Sequence, residues 1–121
     1  MGGTSVAVDK KNLKDGAHIV VGTPGRIRDM MNRQFLNTNS LKMLVIDEAD
    51  EMLSYGFLEQ INEIIKNIPP DCQICLFSAT IPNDVIKLTK DIMNDPVKIL
   101  VKKENLTLEG IKQYYVSCSN D

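Results

Sequence analysis

The sequence has no long apolar segment and no excess of charge of one sign. Its apolar runs are far shorter than the roughly 20 residues of a membrane-spanning helix, and its first residues lack the basic start and apolar stretch of a signal peptide. Its 14 basic and 16 acidic residues, in a chain of 121, give a formal net charge of −2. Strongly basic nucleic-acid-binding domains usually have a pI above about 9. These absences predict a soluble intracellular protein of one modest domain without a membrane partner, and charge alone gives no sign of nucleic-acid binding.

Cysteine is also scarce. The three cysteines are Cys72, Cys75 and Cys118, and an odd number without a secretion signal favours free thiols in a reducing compartment. Cys72 and Cys75 have C-x-x-C spacing, but no second pair exists and His18 is distant in the sequence. We therefore interpret them as ordinary thiols in or beside a strand rather than as a metal or redox site.

Short apolar runs alternate with helical patterns along the chain. Four runs predict β-strands, at residues 18–22, 43–46, 73–77 and 97–101. The middle two are continuous, as in strands buried on both faces of a parallel sheet. Apolar residues at helical spacing predict helices at residues 26–33, 58–68 and 83–93. This alternation predicts an α/β fold with right-handed crossovers.

An acidic motif, Asp47–Asp50, directly follows the second predicted strand. Ligands of open α/β sheets bind outside the carboxyl ends of the strands. An apolar strand that ends in Asp-Glu is also how P-loop ATPases present a metal-binding aspartate. Asp47 would then help to hold Mg²⁺, and Glu48 would orient or deprotonate the attacking water. An ordinary acidic helix start, favoured by the helix dipole, is the alternative.

A second motif follows the first predicted strand. Thr23 suits a helix N-cap and Pro24 the first helical position, while Gly25 lets a ligand approach the backbone closely. Arg26 completes the motif. The exposed N–H groups of a helix start can bind phosphate, although an ordinary capped helix would have the same sequence.

Two further motifs are weaker on their own. Ser78 and Thr80 follow the third predicted strand, where their hydroxyls can bond to the acidic motif and a neighbouring domain or simply cap a helix. Gly2 and Gly3 can bring the backbone close to a nucleic-acid phosphate or form a flexible terminus.

The order of these four motifs resembles the first RecA-like domain of the DEAD-box ATP-dependent RNA helicases of the translation initiation factor 4A type. Segments 45–53 and 101–111 are similar to that family as well, so the resemblance covers essentially the whole chain. It implies a partial RecA-like, P-loop NTPase fold with a parallel sheet and flanking helices. Residues 1–101 would be the C-terminal part of the first domain, 102–112 an interdomain linker, and 113–121 the first strand of the second domain.

The same resemblance implies an RNA-stimulated ATPase that uses ATP and Mg²⁺ to unwind duplexes in translation initiation. Asp47 would position Mg²⁺, through water, and Glu48 would activate the hydrolytic water. Asp50 would couple to Ser78 and Thr80. Sequence-independent contacts to the RNA backbone would come from Gly2, Gly3, Thr23, Pro24, Gly25 and Arg26. An initiation scaffold protein would be a partner in the cytoplasm; the alternative is a nuclear, exon-junction-type relative.

One departure from the family is the phosphate loop, G-x-x-x-x-G-K-[ST], which does not occur in the sequence. Since that loop supplies most contacts to the triphosphate, we expect the 121-residue chain alone to hydrolyse no measurable ATP. We also expect it to self-associate through an exposed sheet. A different class of function remains open, that of a non-catalytic module that binds RNA or a scaffold protein.

Overall fold

A computed structural model describes residues 5–100 and 114–116 of the chain. Gly2, Gly3, Cys118 and the expected linker at 102–112 lie outside the described residues. The described part contains, in chain order, α1 (Val6–Lys14), α2 (Pro24–Asn32), β1 (Met43–Ile46), α3 (Ala49–Ser54), α4 (Leu58–Lys66), β2 (Gln73–Leu76) and α5 (Asn83–Ile92). Within these ranges, no helix is long and apolar enough to cross a membrane.

The two strands form a parallel pair, in which Met43 is opposite Gln73 and Ile46 is opposite Leu76. Parallel neighbours need a crossover connection, and α3 and α4 supply it here. The predicted α/β fold with a parallel sheet and flanking helices is therefore confirmed, with a small sheet. The strand predicted at 73–77 ends at Leu76.

The core lies where the sheet and the last helix meet. Its fully buried members come from β1, α3, α4 and α5: Ile46, Ala49, Ile61, Val85 and Leu88. Apolar residues three positions apart share one helix face, as Val85 and Leu88 do on α5. Burial of these residues packs helices α3, α4 and α5 against the carboxyl end of β1.

The helices predicted from apolar spacing are confirmed, with shifts at their ends. α4 begins at Leu58, just after Gly56 (φ 80°) turns the chain out of α3, a conformation that glycine adopts at little cost. It ends at Lys66, two residues earlier than predicted. α2 begins at Pro24 rather than Arg26, because proline is pre-organised for the first helical position.

Two of the predicted strands, at 18–22 and 97–101, are wrong over their described residues. Neither segment forms a strand, and Ile19, Val21 and Ile99 are 83%, 93% and 89% exposed. A strand exists only by pairing with a neighbour, and these segments have none in the part of the chain that the structure describes. Tyr114–Val116, from the strand predicted at 113–121, are also exposed and unpaired with any strand.

Helix α1 was not predicted. Its sequence has no apolar stripe of the kind that indicates a helix, and none of its residues is buried. It is instead fixed at its start by Ser5, whose hydroxyl accepts a hydrogen bond from the Ala7 N–H at 3.3 Å. Such an N-cap contributes about 1 kcal/mol.

Candidate active site and RNA-binding surface

The carboxyl ends of the two strands are joined by backbone hydrogen bonds that continue past the sheet. The Phe77 N–H donates to the Ile46 carbonyl at 2.8 Å, and the Ala49 N–H donates to the Phe77 carbonyl at 3.0 Å. These bonds place the segment after β1, with the acidic motif, directly beside the segment after β2, with its two hydroxyls.

Asp50 is the centre of the resulting polar cluster. Its Oδ2 accepts a hydrogen bond from the Thr80 hydroxyl at 2.6 Å and another from the Thr80 N–H at 3.0 Å. The Asp50 N–H donates to the Ser78 Oγ at 3.2 Å. The structure therefore brings together three of the predicted site residues, across about 30 positions of sequence.

The two hydrogen bonds from Thr80 to the Oδ2 atom favour the ionised form of the Asp50 carboxyl group. The hydroxyl of Thr80, followed by that of Ser78, lowers the pKa of Asp50 from 3.8 to about 2. Hydrogen bonds to the charged form of a carboxyl group stabilise that form. The second oxygen, Oδ1, is buried and accepts no hydrogen bond from the described residues. Buried oxygens usually have a partner, so Asp50 retains acceptor capacity at the centre of the cluster.

Asp47 and Glu48 lie at the open edge of the same site, and both are exposed. The Asp47 Oδ1 accepts a hydrogen bond from the Glu48 N–H at 2.9 Å. Glu48 has the left-handed backbone conformation, with φ 54° and ψ 45°. That conformation costs a non-glycine residue about 1–2 kcal/mol, and residues held in it cluster at functional sites. Glu48 is the N-cap of helix α3, which begins at Ala49, and its side chain makes no capping hydrogen bond.

The segment Thr23–Arg26 forms the start of α2. Pro24 is buried, and Thr23 is the N-cap without a side-chain capping bond. A Cβ added at Gly25 would meet no atom within 4 Å, so the chain itself does not require glycine there. The first N–H groups of any helix lack intrahelical acceptors, and Gly25 and Arg26 carry the first two such groups of α2.

Arg26 has a partner that sequence reasoning missed. Its Nη1 lies 2.9 Å from the Asp9 Oδ2 of helix α1. Asp9 and Arg26 are 17 positions apart, and no local pattern links them, so only the packing of α1 beside α2 reveals the pair. The contact fixes both the guanidinium and α1 at the edge of the Thr23–Arg26 segment.

The predicted residues thus fall on two sets of elements. Asp47, Glu48, Asp50, Ser78 and Thr80 lie on the segments that follow β1 and β2. Thr23–Arg26 begins α2, which packs against α4. The predicted contribution of Gly2 and Gly3 falls outside the described residues.

Comparison with known proteins identifies the family of the chain. Residues 1–88 match the model of the DEAD/DEAH box helicase family. The whole chain is 57% identical to an ATP-dependent RNA helicase eIF4A of Botryotinia fuckeliana and 55% identical to eukaryotic initiation factor 4A of Drosophila melanogaster. It spans about 30% of the length of each of these relatives.

A solved structure gives the same answer for the fold. The crystal structure of a DEAD box protein from Methanococcus jannaschii superposes with a TM-score of 0.74 at 45% sequence identity, covering 78% of this chain and 26% of that one. The small parallel sheet and its helices are therefore part of a RecA-like domain. The chain belongs to the DEAD/DEAH box helicase family.

Proposed function

We propose that the full-length protein containing this chain is an ATP-dependent RNA helicase that acts in translation initiation. The observation that carries the proposal is the bonding of Asp50 to Ser78 and Thr80, which ties the acidic motif to the hydroxyl motif at 2.6–3.2 Å. The names of the relatives, at 53–57% identity over the whole chain, support the assignment to initiation.

Asp47 is the residue that would hold Mg²⁺. Its exposed carboxylate offers the hard oxygen ligand that Mg²⁺ prefers, and Mg²⁺ is commonly held by one or two carboxylates together with waters and substrate phosphates. The described residues contain no group of three or more His, Cys, Asp or Glu side chains placed to hold an ion. That finding fits an ion shared between Asp47 and a nucleotide. When bound, Mg²⁺ would neutralise charge on the phosphates.

Glu48 is the proposed general base. Its carboxylate is exposed at the carboxyl edge of the sheet, where it could accept a proton from the water that attacks the terminal phosphate. The Glu48 N–H is already held by Asp47. The bond therefore holds the proposed Mg²⁺ ligand against the backbone of the residue that carries the proposed base.

RNA would bind along the start of α2. The proposed contacts are to the sugar-phosphate backbone, through the open N–H groups near Gly25 and through Arg26, so they would carry no sequence preference. Such local contacts are compatible with a chain whose net charge is −2. A scaffold protein of the initiation machinery is the proposed protein partner, and the cytoplasm the proposed location, with a nuclear exon-junction-type helicase as the alternative.

The experiment is an assay of ATP hydrolysis and duplex unwinding by the full-length protein, with and without RNA. Glu48→Gln replaces the proposed basic carboxylate by an amide of the same size. We expect the RNA-stimulated rate of ATP hydrolysis to fall by about 10²- to 10⁴-fold. Glu51→Gln is the matched control, since Glu51 is an exposed glutamate of α3 three residues further along.

Two results would reject the proposal. One is an absence of RNA-stimulated ATP hydrolysis in the unsubstituted full-length protein, which would favour a non-catalytic module that binds RNA or a scaffold. The other is an equal loss of rate in the Glu48 and Glu51 variants.

A further inference from the structure

A surface with basic and aromatic side chains lies near the end of α2, at the opposite end from the Thr23–Arg26 segment. A cavity of about 340 Å³ is lined there by Lys10, Lys14, Gln34 and Phe35. We call these four residues the Lys10–Phe35 patch. Its volume is at the lower end of the range for ligand pockets, roughly 300–1,000 Å³. None of these residues belongs to a motif that the proposed function uses.

The aromatic half of the patch is held by the end of α2. Gln34 has the left-handed conformation, with φ 58°. Its N–H donates to the Met31 carbonyl at 2.9 Å, and the Phe35 N–H donates to the Met30 carbonyl at 2.9 Å. This pair of bonds is the Schellman motif that ends many helices. The backbone at Phe35 is therefore fixed by hydrogen bonds, and its side chain remains partly exposed.

The basic half is carried by α1. Lys10, Lys11 and Lys14 are three of the 14 basic residues of the chain and lie within five positions. The Lys10 Nζ lies 4.7 Å from the centre of the Phe35 ring, a favourable cation–π contact. The Asp9–Arg26 pair holds the same helix against the start of α2. Two neighbouring residues of α1, Asp9 and Lys10, thus contact Arg26 near the start of α2 and Phe35 just beyond its end.

The patch and the proposed RNA surface lie at opposite ends of α2. The nine residues of α2 span roughly 13 Å at about 1.5 Å per residue, a length that a few nucleotides can cover. Proteins that bind single-stranded nucleic acid without sequence preference combine basic side chains for the phosphates with aromatic rings on which bases stack. Both are present here, in a chain that is otherwise slightly acidic.

We propose that the Lys10–Phe35 patch is an additional binding site for single-stranded RNA that extends the strand bound at Thr23–Arg26. This inference rests on the proposed RNA-binding function. Lys10 and Lys14 contact backbone phosphates, and a base stacks on Phe35 when the Lys10 ammonium moves from the ring to a phosphate.

The test measures the affinity of the full-length protein for uridine homopolymers of increasing length, over a range of salt concentrations. Each phosphate contact to a single strand contributes about 0.7 to the slope of log K against log[salt]. The double variant Lys10→Gln/Lys14→Gln therefore lowers the slope by about 1.4, and only for oligomers long enough to reach the patch. Phe35→Leu weakens binding by about fivefold or more, with no change of slope.

The matched control is Lys87→Gln/Lys90→Gln. It removes two exposed lysines, three positions apart, from α5, so it changes the net charge by the same amount away from the patch. The inference is overturned if the Lys10/Lys14 and Lys87/Lys90 variants have the same slope and affinity at every RNA length. The proposed function still stands in that case, provided that Arg26→Gln weakens RNA binding. Both fail if the unsubstituted protein binds no RNA.

Discussion

The guanidinium of Arg26 is bonded to the carboxylate of Asp9 at 2.9 Å, and both side chains are less than a third exposed. The contact joins helix α1, which buries none of its residues, to the start of α2, which packs against α4. Because α1 has so little apolar contact, this ion pair is a large part of what holds it in place.

The first prediction concerns that pair. In a double-mutant cycle with Asp9→Asn and Arg26→Gln, we expect a coupling free energy of about 0.5–1.5 kcal/mol, because the pair is partly shielded from water. The measurement is urea unfolding of the two single variants and the double variant. Simple additivity of the single effects would contradict the structure. Asp29→Asn with Arg33→Gln provides a more exposed pair for comparison, at 2.7 Å, and a smaller coupling is expected for it.

The second prediction concerns the stability of the folded protein at low pH. The pKa of Asp50 is lowered to about 2 by its bonds to Thr80 and Ser78. A lowered pKa in the folded state gives stability that is present above the unfolded pKa of about 3.9 and is lost as the pH falls towards 2. We therefore expect the unfolding midpoint to fall across that interval, and to fall less in Asp50→Asn. Titration of the side chain by NMR checks the cause directly.

Thr80→Val is the decisive variant for that titration. It keeps the shape of the side chain but removes the hydroxyl that bonds to Asp50 at 2.6 Å, so the pKa of Asp50 should rise towards its ordinary value. Thr89→Val, on α5, removes a hydroxyl that bonds to the Val85 carbonyl instead, and it should leave the pKa of Asp50 unchanged. Equal pKa values in the two variants would argue against the proposed cause.

The third prediction separates RNA contact from folding at Gly25. A Cβ there meets no atom within 4 Å, and alanine favours a helix over glycine by up to about 1 kcal/mol. Gly25→Ala should therefore leave the free energy of unfolding unchanged or slightly higher, yet weaken RNA binding, since the methyl group would occupy the space of an approaching phosphate. The checks are urea unfolding and RNA titration of the same preparation. Unchanged RNA affinity would exclude close approach of RNA at Gly25.

The fourth prediction concerns the 121-residue chain by itself. Its largely apolar segments at 19–21 and 97–100 are exposed, with Val97 at 91% and Val21 at 93%. Exposed apolar segments of this kind promote association. We expect the average mass measured by light scattering to rise with concentration. Val21→Lys and Ile99→Lys should reduce that rise, whereas Lys87→Glu, on a polar face of α5, should not. A constant monomer mass at high concentration would contradict the expectation.

The sequence predicted the parts of the fold that depend on local pattern. The continuous runs of β1 and β2 and the apolar faces of α4 and α5 are each visible in a short window, and each is confirmed. The runs at 18–22 and 97–101 have equal strand character, but strand formation depends on a partner that a local window does not contain. Helix α1 was missed because its sequence has no apolar stripe that would indicate a helix, although the helix forms.

The candidate site shows the same division. The coupling of Asp50 to Ser78 and Thr80 was expected from the family resemblance, whereas the hydroxyls alone would equally have suited a helix cap. Their hydrogen bonds also require the register of β1 and β2, which no local property of the three residues reveals. Two contacts of α1 depend on how that helix packs, and no sequence pattern predicts them. They are the Asp9–Arg26 pair and the contact of Lys10 with Phe35.

The two backbone bonds beyond the sheet, from Phe77 to Ile46 and from Ala49 to Phe77, have a mechanical consequence. They join the segments after β1 and β2 through main-chain atoms, so force applied at the hydroxyl motif reaches Glu48 without passing through a flexible side chain. Substitution of Asp47, Glu48, Ser78 or Thr80 leaves that linkage intact. The chemistry of the site can therefore vary while its stiffness is preserved.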